Sequence, residues 1–308
     1  MRAHQVLAVG LSLIDVVFSS AALADLPNPE VRVITAELIG EPPSGTFGVV
    51  IEQDASLGTH TIYRPKRFGS IRHPLLVWGN GGCQKTGLGF AEFLAEIASH
   101  GVFVIADGPP VKGDTRREPP ANGPPPRPSP GSLKPDGTAL IPALDWIEAQ
   151  NARAGSRYEG KIDMSRIAAM GMSCGGLMAY GASGDRRVTS VGIWNSGLLE
   201  PNAPIFDSLH SPVLIVTGGS QDVAYANGLR DFQTLPARVP VVHAVYPGTG
   251  HGGTYAQDNG GPFGAVALAW LKWTLFGDDT VSGKGFFVGE HCELCTDAGW
   301  VVQRRSLP

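Results

Sequence analysis

Apolar positions recur along this chain in two rhythms: short runs or alternations of the kind strands need, and stripes of period 3.6 that mark one face of a helix. Val31 to Leu38, Gly48 to Glu52 and Thr61 to Arg64 predict strands that begin a sheet in antiparallel fashion. Leu75 to Trp78 predicts a buried strand, and Phe90, Phe93, Leu94 and Ile97 share one face of the helix after it. Val102 to Ala106 is the next strand, Leu140, Leu144 and Ile147 stripe the next helix, and the strand Ile167 to Gly171 runs into another helix. Val191 to Trp194, Val213 to Thr217 and Val241 to Tyr246 continue the strands, and Val266, Trp270 and Trp273 stripe the last long helix. Such alternation predicts the α/β class, with parallel βαβ units in a mostly parallel central sheet and helices on both faces.

Two segments break the rhythm. Residues 1–24 open with Arg2, run through an apolar stretch from Val6 to Phe18 and finish at Ala22-Leu23-Ala24, the layout of a cleaved secretory signal. The competing reading, a membrane anchor, is opposed by Asp15 in mid-run, since an unpaired carboxylate is costly in hydrocarbon. Residues 108–137 are crowded with proline, including Pro124-Pro125-Pro126, and have no apolar period. Proline lacks a backbone donor, so this stretch predicts a long surface loop, either a tolerated insertion or a substrate-facing lid. The remainder, 25–308, reads as one domain of 308 residues less the signal, large enough for a sizeable core.

Composition narrows the partners. Hydrophobic residues make up 43% and charged residues 17%, which excludes a globally disordered chain. A net charge of -4 provides neither the basic footprint of a nucleic-acid binder nor a polybasic stripe for anionic lipid. No stable membrane insertion is expected once the signal is removed, and the predicted location is secreted or periplasmic. The four cysteines, Cys83, Cys174, Cys292 and Cys295, then read as up to two disulfides in an oxidising compartment, with three pairings open. Cys292-x-x-Cys295 beside His291 is also half of a zinc pattern, but no second Cys/His pair completes it. No metal is expected.

The chemistry gathers around Gly171-Met172-Ser173-Cys174-Gly175, a G-x-S-x-G that follows an apolar strand and opens a run of small residues. A tight strand-to-helix turn needs glycines on both sides of the serine, and it lifts the hydroxyl to a helix N-terminus that favours developing anions. A serine hydroxyl is a poor nucleophile at neutral pH, so it needs a base and a carboxylate to orient that base. Asp222 follows its predicted strand through Gly218-Gly219-Ser220-Gln221, and His251 follows another through Pro247-Gly248-Thr249-Gly250. Both lie just past strand C-termini, the edge where open α/β sheets build their sites. Asp207 and Asp258 are weaker substitutes for the acid, and His210 and His243 read as structural. Acyl transfer also needs oxyanion donors. The N–H of Cys174 is one, and the loop Gly79-Asn80-Gly81-Gly82-Cys83 should supply the other, from Gly82 with Cys83 next.

These motifs identify the chain as resembling the α/β-hydrolases over nearly its whole mature length, and in strand-loop order it is similar to the secreted polyester hydrolase, cutinase-like, dienelactone hydrolase and chlorophyllase branches. The resemblance implies Ser173 as nucleophile, Asp222 as orienting acid and His251 as base. It also implies that Trp194 lies near an aromatic wall of the acyl cleft, with core packing the alternative, and that Cys83 lies beside the substrate. If Cys83 and Cys174 flank the two oxyanion donors, their side chains meet. The expected pairs are therefore Cys83 with Cys174 and Cys292 with Cys295, against two free thiols at the first pair.

The expectation is a secreted serine hydrolase cleaving carboxylic esters, whether small-molecule, lipid or polyester, through an acyl-enzyme and without a cofactor. A catalytically silent binding protein on the same scaffold is the alternative; loss of probe labelling on Ser173→Ala separates the two. Gly248-x-Gly250-x-x-Gly253 matches a dinucleotide fingerprint by letter, but the helix, second strand and acidic residue that should follow are missing. The oligomeric state is left open.

Overall fold

The computed structural model describes residues 31–33, 40–111, 137 and 139–308; the expected signal segment, and most of the proline-rich loop, lie outside the described residues. Among the described residues ten strands form one sheet: β1 (Val31–Val33), β2 (Val49–Asp54), β3 (His60–Pro65), β4 (His73–Gly79), β5 (Phe103–Asp107), β6 (Ile162–Met172), β7 (Ser190–Trp194), β8 (Val213–Thr217), β9 (Val241–Val245) and β10 (Val301–Arg305). Their spatial order is β1-β2-β3-β5-β4-β6-β7-β8-β9-β10. The central strands from β5 through β4 and β6 to β9 are parallel, while β1 to β3 join one edge and β10 the other in antiparallel fashion.

The helices are α1 (Ala91–Ser99), α2 (Leu140–Ala152), α3 (Cys174–Ala182), α4 (Ala203–Ser208), α5 (Tyr225–Thr234), α6 (Gly261–Phe276), α7 (Lys284–Phe287) and α8 (Glu293–Thr296). Successive strand residues point to opposite faces, so the sheet feeds two cores. Leu76, Trp78, Val104 and Met170 pack with Phe93 and Ile97 of α1 and Val266 and Trp270 of α6. Leu75, Val77, Ile105 and Ile193 pack on the other side with Leu144 and Ile147 of α2 and Leu177 of α3. Burial on both faces is why the central strands read as unbroken apolar runs.

The apolar pattern does not predict the short helices α4, α7 and α8, nor α5 and β10, and for the last two the reason is identifiable. On α5 the buried positions are Gly228 and Asp231, while its apolar residues Tyr225, Leu229 and Phe232 are only half-buried, so its stripe is short and has a glycine and a carboxylate at its centre. β10 is an edge strand with Val301 exposed, and its Arg305 guanidinium donates to the carbonyls of Phe232 and Leu235. An edge carrying charge needs no apolar alternation.

Because the central strands are parallel, the residues following β4, β6, β7, β8 and β9 all emerge at one edge. Backbone bonds weld that edge together: Ser173 N–H donates to Trp194 C=O at 2.8 Å, Asn195 N–H to Val216 C=O at 2.7 Å, and Gly250 N–H to Gly218 C=O at 3.1 Å.

Candidate active site

Ser173 stands between β6 and α3 with φ 53° and ψ -115°, a strained backbone for a residue that carries a Cβ. The flanking glycines explain how the turn fits. A Cβ on Gly171 would lie 2.3 Å from the Gly175 carbonyl oxygen, and one on Gly175 would lie 1.9 Å from the Gly79 carbonyl oxygen. Only bare backbone allows β4, β6 and the start of α3 to approach this closely.

The structure brings together the three side chains expected at this edge. Ser173 Oγ lies 2.9 Å from His251 Nε2, and His251 Nδ1 lies 2.7 Å from Asp222 Oδ1. With Nδ1–H donated to the carboxylate, Nε2 is left as the acceptor facing the serine. Asp222 is buried, while the His251 side chain keeps 33% exposure. Burial alone would raise the Asp222 pKa, but donation from His251, from the Gly218 and Ala224 N–H groups and from Asn195 outweighs it and holds the carboxylate below its ordinary value.

Asn195 is the site residue that the motifs do not announce. Its Nδ2 donates to Asp222 Oδ2 at 2.7 Å and to the Gly250 carbonyl at 3.1 Å. Its Oδ1 accepts from Tyr255 Oη at 2.5 Å. That third bond fixes which end of the amide faces the carboxylate. Asn195 sits at φ 41°, a region asparagine enters more readily than most residues. The signal available in the sequence was its place directly after β7, one residue beyond an apolar run, at the same edge as Ser173, Asp222 and His251.

Cys174 is the first residue of α3, so its N–H is not used by the helical ladder. Cys83 and Cys174 form a disulfide with their Cα atoms 5.3 Å apart, which sets the Gly81–Cys83 turn against the start of α3. In that turn Gln84 N–H closes back on Gly81 C=O at 3.2 Å, and among the described residues the N–H groups of Gly82 and Cys83 have no backbone partner outside the turn. Gly82 is exposed and Cys83 half-buried. Cys292 and Cys295 form the second disulfide, so the half-zinc reading of that pair is replaced by a covalent link. Among the described residues no group of three or more His, Cys, Asp and Glu side chains is arranged to hold a metal ion.

Trp194 does not line the cleft. Its side chain is fully buried between Phe93 and Phe263, because its position on β7 points it into the α1/α6 core. The expected aromatic wall is corrected to a core residue. A cleft of about 110 Å³ instead opens beside Ser173 and His251, walled by Leu177, Ser196, Leu199, Val223, Ala224 and Asn227. The glycine run around His251 forms one short turn, Gly250–Gly252, that presents the imidazole. His243 is buried beside Thr217, its Nε2 3.2 Å from Oγ1, well inside the sheet.

Residues 144–277 match the model of the dienelactone hydrolase family. The matched segment begins within α2 and ends just past α6, so it contains Ser173, Asp222 and His251 and leaves out the Gly82 and Cys83 turn. No curated protein matches the chain.

Proposed function

We propose, from the premise that this chain is a hydrolase of the α/β-hydrolase type, that it is a serine esterase working through an acyl-enzyme at Ser173. The observation that carries this reading is the continuous relay from Asp222 through His251 to Ser173, at 2.7 and 2.9 Å. Ser173 Oγ attacks the ester carbonyl carbon as its proton passes to His251 Nε2, forming a tetrahedral oxyanion. The N–H groups of Cys174 and of Gly82 or Cys83 receive that oxyanion. On collapse the bond to the alcohol oxygen breaks and His251 returns its proton to that oxygen. Water then repeats the sequence, attacking the acyl carbon while His251 takes its proton, and the carboxylic acid leaves with Ser173 restored. Asp222 stays ionised throughout and steadies the imidazolium.

The compartment belongs to the same proposal. Two disulfides suit an oxidising environment, and no helix among the described residues is long and apolar enough to cross a membrane. An exported enzyme acting on ester substrates outside the cytoplasm is consistent with both.

The test is labelling of the full chain by a fluorophosphonate probe together with hydrolysis of p-nitrophenyl acetate. Labelling of the wild type, its loss in Ser173→Ala, and a fall in kcat of at least about 10⁴-fold in that variant are expected. A folded wild type that neither labels nor hydrolyses any ester would leave the scaffold reading, a silent binding protein, in its place.

A further inference from the structure

Resting on the serine-esterase reading, we infer that the site takes neutral esters of short acyl chain, up to about four carbons, because the cleft beside Ser173 is small, uncharged and walled by a clamped segment.

Size comes first. The cleft holds about 110 Å³. An apolar protein cavity of about 150 Å³ accommodates a benzene molecule, so the space against Ser173 houses about four carbons before a longer chain must run out over the open side, past the exposed Val223. The group that must be housed is the acyl chain, since it stays attached to Ser173 between the two half-reactions while the alcohol leaves past the partly exposed flank of His251.

Charge comes next. Leu177, Leu199, Val223 and Ala224 supply apolar wall, Ser196 and Asn227 neutral polar atoms, and His251 is the lining's ionisable side chain among the described residues. A carboxylate on the acyl chain would meet no cationic side chain on the lining itself, since the Arg230 guanidinium lies behind Asn227 and is already taken up by Asn227 Oδ1, the Leu198 carbonyl and Asp231, and a charge without its own partner is disfavoured there.

Rigidity decides whether size matters. The wall from Ser196 to Leu199 is held from several directions. Ser196 Oγ donates to the Ser173 carbonyl at 2.7 Å, and Leu198 N–H donates to the buried Asp231 carboxylate at 2.6 Å. The Leu198 carbonyl accepts from the Arg230 guanidinium. Gly197 lies so close to α5 that a Cβ would fall 2.5 Å from the Asn227 carbonyl carbon. A wall bonded on both its N–H and its C=O and backed by a helix holds this side of the cleft in place, so a longer chain gains no new contacts from it and must pass toward the exposed Val223.

The experiment compares kcat/KM for p-nitrophenyl acetate, butyrate, hexanoate and octanoate, with the singly charged p-nitrophenyl succinate alongside, and a matching series of acetate esters of lengthening alcohols. Expected are a maximum at acetate or butyrate, a fall of at least about tenfold by octanoate, the succinate slower than butyrate by a similar factor, and weak dependence on alcohol length. Leu177→Ala should move the maximum to longer acyl chains; Leu199→Ala, at a half-buried rim position, should do the same if the first variant does not fold. An octanoate or succinate rate equal to the butyrate rate, or a limit set by the alcohol instead, overturns the inference while fluorophosphonate labelling of Ser173 still stands. Absence of both labelling and hydrolysis overturns the underlying reading, and the inference falls with it.

Discussion

Asn195 donates its side-chain amide to Asp222 Oδ2 at 2.7 Å, on the oxygen that His251 does not use. Tyr255 in turn donates to Asn195 Oδ1, so a buried tyrosine, a buried amide, a buried carboxylate and the imidazole form one chain. Each member fixes the orientation of the next, and networks of this kind fail as units. Asn195→Leu is expected to lower kcat by about tenfold or more with little change in KM, since it frees the carboxylate to turn. Asn195→Asp keeps the shape but sets a second carboxyl where the amide now lies 2.7 Å from Asp222, and two buried like charges that close cannot both ionise, so one carboxyl stays protonated and can still donate to the other. It should therefore retain more of the wild-type kcat than Asn195→Leu does. Steady-state kinetics on the two variants check this, and equal losses would make Asn195 a packing residue only.

Asp222→Asn should leave the fold in place and cut kcat by about 10⁴-fold, because the amide presents the imidazole with the wrong hydrogen-bonding partner. The same substitution bears on acid stability. The folded-state pKa of Asp222 is depressed, so its contribution to stability is present above the ordinary carboxylate pKa and is lost as pH falls through the folded value. Urea midpoints measured from pH 6 down to pH 2 should therefore fall less steeply in the variant.

Asp231 behaves in the opposite sense. Burial raises its pKa from 3.8 to about 6, against the lowering effect of the Leu198 N–H and Arg230. The folded state then binds this proton more tightly than the unfolded chain, so stability declines as pH rises from near 4 to about 6 and levels off above. Asp231→Asn should remove that component of the profile. Denaturant midpoints across the interval, compared between the two proteins, check the sign.

The Cys83–Cys174 bridge spans 91 residues of sequence and ties the Gly81–Cys83 turn to the helix that opens after Ser173. Replacing both cysteines with serine should cost about 2–4 kcal/mol of stability. It should also lower kcat by about tenfold with KM nearly unchanged, because donors that must rearrange stabilise an oxyanion less than donors already in place. Loss of the Cys292–Cys295 bridge, whose cysteines are not among the residues lining the cleft, should leave kcat unchanged. Thermal melts and steady-state kinetics on the two double variants separate the bridges.

Gly175→Ala tests the close approach behind the nucleophile. Its Cβ would lie 1.9 Å from the Gly79 carbonyl oxygen, a backbone atom that cannot swing aside. Overpacking of this kind costs about 1–3 kcal/mol or more, and the displacement falls on the end of β4 and on Asn80, where the oxyanion turn begins. A lowered melting temperature and a kcat loss larger than the stability change explains are expected.

Linear order alone determined much of this protein. Unbroken apolar runs betrayed the parallel strands because both faces of those strands are buried, and glycines around Ser173 betrayed the turn because no other residue permits that backbone. The positions of Asp222 and His251 were legible for a related reason: in a parallel sheet every strand delivers its next loop to the same edge, so residues distant in sequence become neighbours by topology. Other features required the tertiary structure. Trp194 occupies the face of β7 that looks into the core, and strand register, not residue type, sends its ring away from the cleft. Asn195 became part of the site through partners contributed by two separate connections, the one after β8 and the one between β9 and α6. β10 and α5 were not read from the apolar pattern because one is an edge stabilised by arginine-to-carbonyl bonds and the other sets a buried glycine and aspartate amid apolar residues that are only half-buried. Period reports what is buried in bulk; a hydrogen-bonded constellation depends on distances between segments, which no local pattern encodes.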